Sequence, residues 1–181
     1  MLFTLLLGFM FLFLLLGGAA FLKMNESNLE FWEKLPRGRT IGGIIGTVAL
    51  LAFIPNVKPL FPPEQHLFWL IPAALFLSLL CWIYLDYLFA RAAAGAVILL
   101  VHWTLNESFN ADFKGCSFFA LMSLAAGTYS ICIAAKPYWL RDSFWCMCRN
   151  FKWRLAGSVF SFLWALSVLI LLIQQMGRMV K

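Results

Sequence analysis

The sequence predicts an all-α protein: a polytopic bundle of six transmembrane helices with one or two amphipathic helices at the cytoplasmic interface. Hydrophobic residues make up 63% of the chain and charged residues 12%, whereas a soluble domain carries about 25% charged residues. Six apolar stretches are each near the length of about 20 residues that crosses a hydrocarbon core of about 30 Å. The connections between these stretches alternate in positive charge.

The six spans form a single integral membrane domain over residues 1–181. We place them at about 1–22, 40–60, 67–85, 88–105, 117–135 and 156–176. A continuous helix over 67–105 would measure about 58 Å, which is too long for one crossing. We therefore predict a tight turn near Asp86–Arg91, closed by an ion pair between these two side chains.

Lysine and arginine concentrate in alternate connections. The first, third and fifth connections carry ten of them, and the rest of the chain carries four. Positive residues are retained on the cytoplasmic side, so the sequence predicts a multi-pass protein of the cell (inner) membrane with both termini outside the cytoplasm. The net charge of +6 reflects this orientation, and no soluble domain is left to offer a basic face to nucleic acid.

Residues 138–155 carry the strongest local pattern outside the spans. An apolar stripe about 100° wide recurs at helical spacing, and it contains Leu140, Phe144, Met147, Cys148, Phe151 and Leu155. Basic and aromatic residues surround the stripe, namely Arg141, Arg149, Lys152, Trp139, Trp145 and Trp153. The pattern predicts a basic amphipathic helix in the headgroup layer. It serves either as an anchor that orients the last span or as a docking surface for a partner subunit or an anionic lipid.

Residues 25–35 predict a second and shorter interfacial helix. Ser27 and Glu30 have the spacing of a capping box, and Leu29 and Trp32 form a short apolar face. This helix would join the first two spans.

Small residues predict which spans pack inside the bundle. Gly42 and Gly46 in the second span, Gly95 in the fourth and Gly127 in the fifth allow close approach of helix backbones. We expect these three spans to form the inner contacts. The Leu- and Phe-rich first and last spans would then face lipid or a partner subunit.

The two histidines, His66 and His102, lie near the outer ends of the third and fourth spans. If these spans pack side by side, the imidazoles can meet as axial ligands of a haem or as a metal pair. A quinone is an alternative cofactor at the same place. A hydrogen-bonded intramembrane role for His102 alone is the simpler interpretation, so the cofactor remains open.

The run 54–63 contains four of the seven prolines. A helix end broken by proline frees backbone carbonyls, which can line a cavity. Together with Lys58, Glu64 and Glu107, this run predicts a possible polar pocket on the outer side. A stiff loop between two spans is the alternative.

Motifs for nucleotide binding, nucleophilic catalysis or zinc hydrolysis do not occur in the sequence. The sequence therefore favours a non-catalytic integral subunit that packs into, and helps assemble or anchor, a multi-subunit membrane complex. Its expected partners are the lipid bilayer and other membrane protein subunits. The alternatives are a redox subunit that holds haem or quinone near the outer face, and a small solute or ion transporter.

Overall fold

The computed structural model describes residues 2–57, 66–110 and 116–179. In this part of the chain eight α-helices account for most residues, and no β-strand occurs. The helices are α1 (Leu2–Lys23), α2 (Leu29–Lys34), α3 (Arg39–Val57), α4 (His66–Tyr84), α5 (Leu88–Asn110), α6 (Cys116–Ala135), α7 (Tyr138–Arg149) and α8 (Phe151–Met179). Short 3₁₀ turns flank α2. The all-α prediction is confirmed.

Five helices are long and apolar enough to cross a membrane, namely α1, α3, α5, α6 and α8. A sixth apolar helix, α4, has 19 residues and a length of about 28 Å. It packs against α3, and the turn that follows it reaches the start of α3 through an ion pair of Arg39 with Asp86 at 3.8 Å. Gly43 of α3 lies against Trp82 of α4, and Thr47 of α3 is bonded to Ser78 of α4, so the two helices run antiparallel where they touch. The chain is thus a multi-pass helical membrane protein.

The helices pack as a series of neighbours. In the described chain, α4 lies on α3, α3 on α5, α5 on α6, α6 on α8, and α8 on α1. The contacts of α3 with α5 and of α5 with α6 agree with the expectation from small residues. The expectation for the first and last spans is incomplete: their outer faces are exposed, as Leu12, Phe13 and Leu163 show, but α1 and α8 also pack extensively on each other.

The main core lies where α1, α5, α6 and α8 meet. Leu7 and Met10 of α1, Phe119 of α6, and Val168 and Leu171 of α8 are almost fully buried there. These Leu- and Phe-rich surfaces interlock with one another, and van der Waals packing of this kind is what holds helices together in lipid.

Hydroxyl and indole groups inside the bundle are hydrogen-bonded within the protein. Ser158 of α8 donates to the Gly18 carbonyl of α1 at 3.1 Å. Trp164 of α8 donates from Nε1 to Ser123 Oγ of α6 at 3.1 Å. Both bonds join neighbouring helices, so these polar groups stabilise the helix packing.

Three connections meet at one end of the bundle. They are residues 24–38, the turn 85–87 and the segment 136–150, and we call this end the basic end. Arg154 donates to the Met24 carbonyl and to Asn25 Oδ1, and Arg37 donates from Nη2 to the Tyr87 hydroxyl at 3.2 Å. The bundle therefore gathers at one end the connections that the charge pattern predicts to share a side of the membrane.

The turn between α4 and α5 covers only Leu85–Tyr87. Tyr87 has a φ of 56°, a left-handed conformation that non-glycine residues seldom adopt. The predicted tight turn is confirmed, but its ion pair differs. Asp86 pairs with Arg39 at 3.8 Å and not with Arg91.

The predicted helix over 138–155 is divided in the structure. The first part, α7, ends at Arg149, and Asn150 is extended, with φ −111° and ψ 115°. Phe151 and Leu155 consequently belong to α8, where they are exposed. The sequence stripe missed this break because the chain must change direction there to enter the last span.

The short helix α2 confirms the second interfacial helix, without the expected capping box. No side-chain cap hydrogen bond forms at its start. Glu30 is instead paired with Lys34 at 2.5 Å, and this hydrogen bond lowers the pKa of Glu30.

Candidate functional site

A cleft opens between α4 and α5, with α3 as its floor. Its volume is about 330 Å³. The lining is mostly small or apolar and includes Gly42 and Gly46 of α3, Ser78 and Cys81 of α4, and Arg91 and Gly95 of α5. A volume of this size lies at the lower end of the range for small-molecule sites.

The cleft exists because α3 holds α4 and α5 apart from each other. At Gly42, an added Cβ would lie 2.4 Å from the backbone nitrogen of Phe89, so the backbones of α3 and α5 are in direct contact. At Gly43, an added Cβ would lie 2.6 Å from the ring of Trp82 in α4. With both neighbours fixed to α3, α4 and α5 make at most marginal contact, and a gap is left between them.

The four glycines predicted for helix packing occupy different environments. An added Cβ at Gly46 would be 3.5 Å from Ala92 Cβ, and one at Gly127 would be 3.6 Å from Val101 Cγ1. These are ordinary contacts between neighbouring helices, while Gly42 is at a closer one. Gly95 differs, since an added Cβ would meet no atom within 4 Å. It faces the open cleft.

One hydrogen bond joins hydroxyls across the α3–α4 contact, beside the cleft. Thr47 Oγ1 and Ser78 Oγ are bonded to each other, and Thr47 also donates to the Gly43 carbonyl at 2.8 Å. Such bonds between membrane helices contribute about 0.6 kcal/mol on average. The bond helps to fix the position of α4 on α3.

Arg91 gives the cleft a positive charge at its basic end. The side chain is exposed. The nearby Asp86 carboxylate is paired with Arg39 at 3.8 Å, and among the described side chains no carboxylate forms an ion pair with Arg91. An apolar cleft with a cation at one end is suited to an amphipathic ligand that carries a negative charge.

A second candidate site is the platform that α2, α7 and the first residues of α8 form at the basic end. Met24, Phe144 and Cys148 are buried between these helices, and the rings of Trp32 and Phe144 lie 5.4 Å apart. Burial raises the pKa of the Cys148 thiol. The apolar face of α7 is thus covered by other parts of the protein, and its opposite face points outward.

The outward face of the platform carries the residues predicted for lipid or partner docking. The rings of Trp139, Trp145 and Trp153 are all exposed. Arg149 stacks over the Trp145 ring, with its guanidinium carbon 4.3 Å from the ring centroid.

Two further basic residues belong to the same docking prediction. Arg141 is paired with Asp142 at 2.8 Å, and this hydrogen bond raises the pKa of Arg141. Lys152 is exposed at the start of α8, and in the described part of the chain it forms no ion pair. Lys152 and Arg149 are therefore the cations of the platform that remain available to a partner.

The predicted histidine pair is only partly visible. His66 begins α4, but its side chain lies outside the described residues, and His102 is exposed on α5. Since α4 packs on α3, the described helices show no direct α4–α5 packing that would bring the two positions together. Within the described ranges, no three His, Cys, Asp or Glu side chains are placed to hold a metal ion. The haem and quinone hypotheses stay predictions.

The predicted polar outer pocket falls largely on residues that the structure does not describe. Lys58 and Glu64 lie outside the described ranges, and Glu107 is exposed near the end of α5. The pocket likewise stays a prediction.

Comparison of the chain with protein-family models, with curated proteins and with solved structures finds no match. The fold alone defines the class of the protein, which is a multi-pass bundle of membrane helices. Sequence reasoning did not foresee the cleft or the place of Arg91 in it. The spacing of apolar residues in the sequence predicts neither, because the cleft depends on the gap between α4 and α5.

Proposed function

We propose that this protein is a non-catalytic integral subunit that packs into, and helps assemble or anchor, a multi-subunit membrane complex. The observation that carries the proposal is the position of α4 at the edge of the bundle. It meets α3 through one stripe that includes Ser78, which is bonded to Thr47, and Trp82, which lies against Gly43. The opposite side exposes Phe76, Leu79 and Ile83.

Exposure of apolar side chains in a membrane protein is not by itself informative, because lipid tails are as apolar as leucine. The informative feature is the narrow attachment of α4 to a single neighbour. Helix association in lipid depends on van der Waals packing, and in the described part of the chain α4 has extensive packing on one side only. A helix of another subunit would supply the second packing surface.

The proposal includes an orientation and a second contact. The basic end would face the cytoplasm of a cell with both termini outside, as the positive-inside rule requires. The platform would then offer Trp145, Arg149 and Lys152 to a membrane-proximal partner with an acidic surface. Exposed tryptophan and arginine are the residue types enriched among residues that dominate binding energy.

The proposal is tested with a photo-crosslinking amino acid at Phe76, in protein kept in its native membrane. Phe13 of α1 is the matched control, since Phe13 and Phe76 are 61% and 62% exposed. We expect a discrete protein adduct from position 76 that mass spectrometry identifies, and no such adduct from position 13. Absence of any adduct at position 76, together with a monomer in mild detergent, would contradict the proposal.

A separate variant tests the platform. Arg149→Gln with Lys152→Gln should weaken co-purification of the partner captured through Phe76, and the loss should be smaller at high salt, where the wild-type contact is already screened. Lys23→Gln is a control cation outside the platform. Unchanged co-purification of the double variant at low salt would remove the platform from the proposal.

The redox alternative depends on His66 and His102, and the transport alternative depends on the proline-rich run with Lys58, Glu107 and Asp86. The side chains of His66 and Lys58 lie outside the described residues. An absorbance scan of the purified protein decides the haem alternative through the presence or absence of a Soret band. Flux into liposomes, compared with Lys58→Ala, decides the transport alternative.

A further inference from the structure

We propose that the cleft between α4 and α5 binds one acyl chain of an anionic phospholipid, with the lipid phosphate at Arg91. This inference concerns a lipid site within the subunit and does not depend on the partner proposed above. It rests on the length, the cross-section and the charge of the cleft.

The length of the cleft matches one leaflet of a bilayer. Its lining on α3 runs from Gly42 to Phe53, and its lining on α5 runs from Leu88 to Leu99. Each range rises about 16 Å along a helix, and one leaflet of the hydrocarbon core is about 15 Å thick. A chain that enters at the basic end would therefore reach about the middle of the membrane.

The cross-section of the cleft excludes a helix as the occupant. The whole empty space of the cleft, about 850 Å³ with the part open to the surroundings included, gives a mean cross-section of at most about 53 Å² over about 16 Å, whereas a helix about 10 Å in diameter occupies about 80 Å². A single hydrocarbon chain is slender enough to enter. Filling the cleft restores the dispersion contacts that its lining otherwise lacks.

The charge of the cleft selects an anionic headgroup. Arg91 lines the cleft near the basic end, and the nearest acid along the chain, Asp86, is already paired with Arg39. Arg37 is likewise engaged, at the Tyr87 hydroxyl. A guanidinium group can bind two phosphate oxygens at once, which fits a phosphate at the membrane surface above the chain.

The small residues of the cleft provide the first test. Gly95→Leu places a side chain in the open space, where an added Cβ meets no atom within 4 Å, so the variant should fold. Gly17→Leu on α1 is the matched control, because Gly17 also has no atom within 4 Å of an added Cβ. Cys81→Leu fills the cleft from the α4 side as a second variant.

The probe is dioleoyl-phosphatidylglycerol, mixed equally with dioleoyl-phosphatidylcholine in nanodiscs. Native mass spectrometry then counts the lipids that stay on the protein after release. We expect the wild type and Gly17→Leu to retain one phosphatidylglycerol, with a preference of about fivefold over phosphatidylcholine, the factor that one arginine near an anionic headgroup contributes. Gly95→Leu and Cys81→Leu should lose the bound lipid.

The headgroup is tested separately with Arg91→Gln. This variant should keep one lipid and lose the preference, so that both lipids are retained about equally. Lys136→Gln, a cation at the same end but outside the cleft, should keep the preference. The proposal is overturned if folded Gly95→Leu and Cys81→Leu retain lipid like the wild type, if Arg91→Gln keeps the preference, or if millimolar inorganic phosphate displaces the lipid.

Discussion

At the scale of single residues, Gly42 is the glycine that lies closest to a neighbouring helix in the described part of the chain. An alanine Cβ there would lie 2.4 Å from the backbone nitrogen of Phe89, and backbone can yield only if the helices move apart. We expect Gly42→Ala to lower the free energy of unfolding by about 1–3 kcal/mol. Denaturation in detergent, followed by circular dichroism, measures this change.

Gly95→Ala is the control for that measurement. It is the same substitution, in a helix that lines the same cleft, and it meets no atom within 4 Å. Because alanine is the better helix former, this variant should be as stable as the wild type or slightly more stable. Equal loss of stability in the two variants would mean that the α3–α5 backbones do not touch at Gly42.

A second prediction at this scale concerns two cysteines of the same helix. Cys148 is buried and burial raises the pKa of its thiol, whereas Cys146 is half-buried. Since the thiolate is the reactive form, a raised pKa leaves less of it at a given pH. Maleimide at neutral pH should therefore modify Cys146 faster than Cys148, as peptide mapping over time would show. If Cys148 were modified faster, the face of α7 that carries Cys148 would have to point outward and not toward α2.

Single residues also show what the sequence can and cannot reveal. Gly42 could be predicted as a packing residue, because a small residue on an apolar span usually faces a neighbouring helix. Gly95 has the same sequence character, but an added Cβ there would meet open space and no neighbouring helix. The difference depends on the distance between α4 and α5, which is set by the contacts of both with α3 and leaves no mark on the sequence around Gly95.

At the scale of helices, the contact between α6 and α8 includes the hydrogen bond from Trp164 to Ser123. Both residues are buried. We expect Trp164→Phe and Ser123→Ala each to destabilise the protein, and the double variant to show a coupling free energy of about 0.6 kcal/mol, the average for such bonds between membrane helices. Unfolding of the four proteins in detergent gives the coupling.

The control for this cycle is Trp153→Phe combined with Ser123→Ala. Trp153 is exposed at the start of α8 and does not contact Ser123 in the described hydrogen bonds, so its effect should be additive with that of Ser123. Additive effects in the Trp164 cycle would show that the indole does not bind the serine.

The positions of the helices along the sequence were largely predictable, but which helices pack against each other was not. The length of each apolar run sets where a span lies, because the bilayer thickness is fixed. The pairing of α1 with α8 depends on the fit of two Leu- and Phe-rich surfaces, which composition does not encode. The signal that could have revealed it is Ser158, Ser161 and Ala165, spaced three and four residues apart on the buried face of α8.

At the scale of the whole molecule, charge and packing independently indicate the same arrangement. Ten of the fourteen lysine and arginine residues lie in three connections or in the adjoining helix ends, and contacts such as Arg154 with Met24 and Arg37 with Tyr87 join these parts of the chain at one end. Charge alone does not bring connections together, so the contacts are a separate observation. The arrangement requires α4 to return the chain from the opposite end to the basic end.

The return through α4 makes a prediction about the two termini. Six crossings place both termini on the same side, whereas five crossings, with α4 outside the membrane, place them on opposite sides. We expect short peptide tags fused to the first and last residues to be equally accessible to an antibody on intact cells.

A cysteine at position 34, introduced as Lys34→Cys in a background without other cysteines, should react with an impermeant maleimide only after permeabilisation. If only one tag is accessible on intact cells, α4 does not span the bilayer, and the α4–α5 cleft cannot lie along a leaflet.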